Sequence, residues 1–189
     1  KDYSGNLDSK ADYYHSKVVL LVRHPADVAV SQFHQWRYRM RPRKKSINAY
    51  PEGEVSIADF VMNHPAGLDK VITFMNDWAR ERHRIRSFLI VRYEDLKADT
   101  PGMLHAVTRF LGTPGADSSI EGAVDYASFE NMRRLETSNT SILAGGRMKA
   151  KDPSNPESFK TRRGKVGGFR DYFSDAEVEA ILDRIDRNL

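Results

Sequence analysis

Val18-Val19-Leu20-Leu21-Val22-Arg23-His24-Pro25-Ala26-Asp27-Val28-Ala29-Val30-Ser31 is the stretch that decides the fold. Its first five residues are aliphatic without polar alternation, the pattern of a strand buried on both faces of a parallel sheet. Pro25 suits the first turn of a helix, Asp27 complements the helix dipole there, and Val28, Ala29, Val30, Phe33 and Trp36 carry apolar surface onward. The unit is therefore strand, tight turn, helix. In open parallel sheets ligands bind where strands end and helices begin, because unpaired N–H groups converge there. Arg23 stands at that point and Ser31 follows eight residues later, about two helical turns on. A guanidinium fork and a hydroxyl so placed suit a phosphate. A plainer reading pairs Arg23 with a nearby carboxylate and leaves Ser31 on the helix surface; these residues alone keep both open.

The same construction recurs downstream. Phe88-Leu89-Ile90-Val91 is a second buried-strand run, ending in the polar cluster Arg92-Tyr93-Glu94-Asp95. Between the strands, Ser56 and Asp59 form a capping pair for a short helix through Val61 and Met62. Leu68, Val71, Ile72, Met75, Trp78 and Ala79 then recur at the spacing of one helix face. Thr100-Pro101 opens another helix, with Met103, Leu104, Val107, Phe110 and Leu111 on one face and Gly112 as its stop. Ser174 and Glu177 read as the capping box of a last helix that buries Val178, Ile181, Leu182 and Ile185. The order indicates an α/β fold, a parallel sheet flanked by helices with right-handed connections, in one domain over residues 1–189.

Two segments break the pattern. The run from Trp36 to Lys45 carries Arg37, Arg39, Arg41, Arg43, Lys44 and Lys45, and Pro42, Asn48, Pro51 and Gly53 interrupt any periodicity, so a mobile loop is expected. Residues 138–168 are poor in apolar side chains and rich in Gly, Pro, Lys and Arg, the composition of a long loop. That loop ends in Arg162-Arg163-Gly164-Lys165-Val166-Gly167-Gly168. Arginines beside glycines let side chains and main-chain N–H groups reach the same anion, although a merely solvated basic loop has the same composition.

With 40% hydrophobic and 30% charged residues, the 189-residue chain is long enough and apolar enough for one real core. A formal charge of +4 favours anionic partners without specifying nucleic acid. The chain has no Cys, which excludes disulfides and thiolate metal sites and fits a reducing compartment, with the cytoplasm as default. Its His residues show no metal-ligand spacing, so no metal is expected. No apolar run is long enough for a membrane span.

Taken in order, four segments resemble the PAPS-dependent sulfotransferases, enzymes that use 3'-phosphoadenosine 5'-phosphosulfate. Leu21 to Ser31 is similar to their 3'-phosphate motif, a strand ending in Arg with Ser eight positions on. Val91-Arg92-Tyr93-Glu94-Asp95-Leu96-Lys97, with Phe110-Leu111-Gly112 behind it, resembles their Tyr-Glu-Asp-Leu segment. Ala127-Ser128-Phe129-Glu130-Asn131-Met132 looks like the adenine-side segment, and Arg162 to Gly167 like the Arg-Lys-Gly-x-x-Gly loop. The resemblance implies a fold of the nucleotide-triphosphatase type, PAPS as donor and PAP (adenosine 3',5'-bisphosphate) as product. It implies that Arg23, Ser31 and Arg162 hold the 3'-phosphate, that Arg163 and Gly164 add main-chain contacts, that Tyr93 bonds near the adenine, and that Phe129 and Met132 pack on it.

Other implications concern what differs from the family pattern. The first strand and its Lys-Ser-Gly-Thr-type loop find no counterpart here, so the chain reads as a C-terminal portion, with the catalytic Lys and His expected upstream of Lys1. His15 lies immediately before the first strand and is misplaced for that role. After the loop, Gly168-Phe169-Arg170 replaces the usual Asp-Trp-Lys. Arg170, Ser174 and Glu179 match a dimer segment known in the family, but Asp175 replaces its Val and leaves a homodimer open. The expected acceptor is a small molecule or carbohydrate bearing a hydroxyl or amine. The alternative, a nucleic-acid-binding module, rests on the basic run Arg37 to Lys45 with Trp36 and Tyr38 interleaved.

Overall fold

The computed structural model describes residues 10–47, 50–51, 53–138 and 151–189. Strand β1 (Lys17–Val22) and strand β2 (Ser87–Arg92) pair in parallel, Lys17 opposite Ser87 and Val22 opposite Arg92. This register makes the residues that follow, Arg23 and Tyr93, leave the sheet side by side. Helix α1 (Pro25–His34) starts two residues after β1 with Pro25 in its first turn, as Pro's fixed φ and missing N–H favour.

The main core lies beneath α1, which packs against α3 (Ile57–Asn63) and α4 (Leu68–Glu81), with α9 (Asp175–Asn188) contributing Val178, Ile181 and Ile185. Phe33 of α1 meets Phe60 of α3 edge-on at 5.6 Å between ring centres, a favoured aromatic arrangement. A smaller cluster of Val18, Trp78 and Ile85 joins the sheet to α4. The caps follow the expected chemistry: Ser56 Oγ accepts from Asp59 N, Gly112 closes its helix at φ 88°, and Ser174 and Glu177 form a reciprocal capping box.

Two sequence expectations need correction. Burial of both strands on both faces holds for Val18 and Val91, but Leu21 is 57% and Ile90 40% exposed, because the helices among the described residues cover the two-stranded sheet unequally. The expected mobile loop after Trp36 is instead a π-helical turn (Gln35–Arg39) followed by helix α2 (Pro42–Ile47). The buried Trp36 and Phe33 side chains hold the chain to the core past the end of α1, and Pro42 then serves as a helix start rather than a breaker. The polar cluster after β2 forms the beginning of α5 (Tyr93–Ala98).

Beyond α5 come α6 (Thr100–Leu111), α7 (Asp117–Tyr126) and α8 (Phe129–Thr137). Of the long loop expected over 138–168, residues 139–150 lie outside the described residues. Its remainder is irregular but anchored: Pro156–Ser158 and Gly168–Tyr172 are short 3-10 turns, and Ser158, Phe159 and Phe169 are buried. No helix among the described residues is long and apolar enough to cross a membrane.

Candidate functional site

At the carboxyl end of the sheet, Arg23 donates from Nη2 to Asp27 Oδ2 at 2.9 Å and to the Lys165 carbonyl at 2.8 Å. Its guanidinium lies 4.3 Å over the Tyr93 ring. Asp27 is almost fully buried and also accepts from the main-chain N–H groups of Gly167 and Phe169, both at 2.9 Å. The carboxylate read in the sequence only as a helix-dipole partner is thus the tether that ties the glycine-rich loop to the strand end. Both readings of Arg23 meet here, since it has a carboxylate partner and it faces a cavity.

A second buried carboxylate fixes the other end of that loop. Glu136 on α8 accepts from Lys160 N, from Thr161 N at 2.9 Å and from Thr161 Oγ1. Arg133, one turn earlier, donates to the Thr161 carbonyl at 3.0 Å and lies 3.4 Å over the Phe159 ring. Between these anchors stand Arg162 and Arg163. Arg162 donates to Tyr172 Oη and pairs with Glu157 at 3.3 Å, and Arg163 pairs with Asp171 at 3.0 Å. Nothing in the sequence marked Glu136, because a single Glu on a helix surface pattern carries no signal of its burial.

Tyr93, Phe129 and Gly164 meet at one edge of the same cavity. Ser128 caps α8 by accepting from Asn131 N, which sets Phe129 on the first turn. Tyr93 Oη donates to the Gly164 carbonyl at 3.4 Å. Gly164 has φ +59°, and a Cβ there would lie 3.2 Å from the Phe129 ring, so glycine is needed both for conformation and for the ring's close approach. Gly164→Ala is expected to cost about 1–2 kcal/mol of stability from the left-handed backbone and to displace Phe129; thermal unfolding checks the first effect and the aromatic ring resonances the second.

The cavity measures about 300 Å³ and contains, on its wall, Arg23, Ser31, Tyr93, Phe129, Arg162, Arg163 and Gly164 among others. Met132, one turn beyond Phe129, is half-buried on α8 and is not part of that wall. Six cations face the cavity (Arg23, Arg39, Lys160, Arg162, Arg163 and Lys165) against one carboxylate, Asp27. An anion is the complement such a wall requires. His34 and Arg39 also line it, although the sequence reading assigned neither. Burial, reinforced by Arg162, Arg39 and Arg163, pushes the His34 imidazole down to about 3, so it is neutral at pH 7. Burial likewise lowers Arg39, with Glu136 opposing. Among the described residues no group of three or more His, Asp or Glu could hold a metal ion.

A strand-end arginine, a glycine-turned basic loop and an aromatic edge border one cationic cavity in an α/β protein. Comparison with known proteins narrows the class. The family model described as the Sulfotransferase domain matches residues 8–189, and the chain belongs to the sulfotransferase family. It is 29% identical to rat Sulfotransferase 2A1 over 88% of its own length and 54% of that protein. It is 27% identical to Cytosolic sulfotransferase 14 of Arabidopsis thaliana over 98% of its length and 52% of the relative. Among solved structures, retinol dehydratase in a complex with retinol and PAP superposes with a TM-score of 0.68 at 26% identity, covering 92% of this chain and 47% of that one. The chain spans about half the length of the curated relatives it matches.

Proposed function

We propose that this chain grips PAPS by its 3'-phosphate and adenine and serves an enzyme that moves the sulfuryl group to a hydroxyl or amine of a small-molecule or carbohydrate acceptor. The observation that carries the reading is convergence: Arg23, Ser31, Tyr93, Phe129, Arg162, Arg163 and Gly164, drawn from four separate segments, border one cationic cavity. Arg23, Ser31 and Arg162 supply the donors for a phosphate dianion, the Arg163 and Gly164 main chain closes over it, and Phe129 with Tyr93 offers the purine an apolar face and a hydroxyl. Met132 supports Phe129 from its own helix in this scheme. The fit extends to polar atoms: the buried Nε of Arg39 and both ring nitrogens of His34 have no hydrogen-bond partner, as expected of a wall that is completed by a ligand.

For transfer, the donor must be held in line with the acceptor while a base takes the acceptor's proton and positive charge meets the departing bridging oxygen. The grip contributes the first of these. We place the base and the cation on the leaving oxygen outside the grip residues. A similar structure holds retinol and PAP together, which supports a small organic acceptor beside the nucleotide.

PAP at 100 times its Kd is expected to stabilise the protein by about 2.7 kcal/mol, read as a rise in Tm, and 5'-AMP, which lacks the 3'-phosphate, by much less. Equal shifts with both nucleotides, or salt-dependent nucleic-acid binding in place of either, would replace this reading with that of a basic nucleic-acid module.

A further inference from the structure

The grip described above leaves His34 and Arg39 of the cavity wall unused. Asp27, Ser31 and His34 recur at helical spacing on α1, so His34 follows Ser31 one turn further along the cavity-facing stripe. Only 4% of His34 is exposed. Its ring is enclosed by Phe33, Tyr38 and Tyr172, and Glu157 Oε2 lies 3.1 Å from Nδ1 but outside hydrogen-bonding geometry. Both nitrogens are thus buried without a hydrogen bond, an arrangement that is costly for any polar group with nothing to meet. The aromatic neighbours explain the ring's packing and not its nitrogens.

Arg39 presents the matching feature from another direction. The π-helical turn after α1 carries it to the cavity wall, where Nη1 donates to the Phe159 carbonyl at 3.0 Å. Its Nε is buried and unbonded. Wide helical turns of this kind are uncommon and concentrate at functional sites. The charge around it is unbalanced in the same sense: Arg39 and Arg162 face each other closely enough to oppose each other's charge, and both act on His34. Glu136 offsets part of this from behind, while its oxygens are already taken by Lys160 and Thr161. An anion inside the wall would relieve the repulsion and give His34 and Arg39 their acceptor together.

We propose that His34 and Arg39 form the inner wall of the 3'-phosphate subsite, each donating an N–H to the phosphate that Arg23, Ser31 and Arg162 hold from the outer side. This rests on the PAPS reading above and adds two residues to it. Glu157 then has a defined place, holding Arg162 and lying 3.1 Å from Nδ1, where with a bound phosphate dianion it favours the imidazolium, whose Nε2–H is the donor left for the ligand.

The test compares PAP with 5'-AMP by calorimetry on the full protein. Arg39→Met is expected to weaken PAP by about 10-fold or more and His34→Phe by roughly 3- to 10-fold, with 5'-AMP changed less than about 2-fold in both. His34→Gln, which restores an N–H donor, should recover most of the loss. In the unaltered protein, the His34 ring resonances should move on titration with PAP and stay in place with 5'-AMP, a readout that does not depend on the variants folding. Unmoved resonances, or losses shared equally by the two nucleotides, would overturn the inner-wall assignment. Failure of the wider reading looks different: PAP affinity would then be indifferent to Arg23 as well.

Discussion

Arg23→Ala is expected to weaken PAP binding by about 1.5–3 kcal/mol, roughly 10- to 150-fold, the range for loss of a charge-assisted hydrogen bond to a buried anion. The cause lies in how Arg23 is held. Its Nη2 is shared between Asp27 and the Lys165 carbonyl and its Nε faces Asp27, so the fork is oriented before any ligand arrives. The Tyr93 ring, 4.3 Å from the guanidinium carbon, adds a cation–π contact that holds the group in place. A pre-oriented donor loses little conformational freedom on binding, which raises the share of the contact that appears as affinity. Arg23→Lys should recover only part, because an ammonium cannot reproduce the planar fork. Calorimetry with PAP checks this, and affinity unchanged in Arg23→Ala would remove the strand-end arginine from the donor site. The change also leaves the buried Asp27 carboxylate with only the Gly167 and Phe169 N–H groups as donors, so a loss of stability is expected beside the loss of affinity, and thermal unfolding without ligand separates the two.

Asp27→Ala is expected to have the largest effect on stability, about 3–5 kcal/mol, the range for removing one member of a buried ion pair. Its side chain is 2% exposed, and three partners depend on it: the Arg23 guanidinium and the N–H groups of Gly167 and Phe169. Without it, two main-chain donors and a charge lose their acceptor in a place water reaches poorly. The glycine loop would lose its tether to α1, so PAP affinity should fall as well. Asp27→Asn keeps the shape and one acceptor and should lie between Ala and the unaltered protein. Urea unfolding supplies the stability and calorimetry the affinity. A loss below about 1 kcal/mol in Asp27→Ala would show that the loop is held by other contacts.

Much of the fold was legible because its signals are local. The aliphatic run ending in Arg23, the Pro25 helix start, the Ser56 and Ser174 caps and the Gly112 stop each depend on residues within a few positions of one another. The loop reading failed where distant packing intervened. Trp36 fits deep in the core against Phe33 and Phe60, and that contact holds a basic, proline-broken segment in a π-helical turn and a short helix. Composition favoured a loop there, and burial of one side chain decided otherwise.

By itself the sequence determined the α/β class and the parallel strand pair, since these follow from chain-local periodicity, and it marked by resemblance the segments that line the cavity. Only the tertiary structure decided how the motifs are joined. Asp27 and Glu136 secure opposite ends of the Arg162 to Gly164 loop across separations of 140 and 24 residues at Gly167 and Lys160. His34 and Arg39 turn inward, while Met132 stays off the cavity wall. A carboxylate becomes a tether, and an imidazole part of a cavity wall, through burial and the groups brought against it, and those quantities arise only when distant parts of the chain pack together.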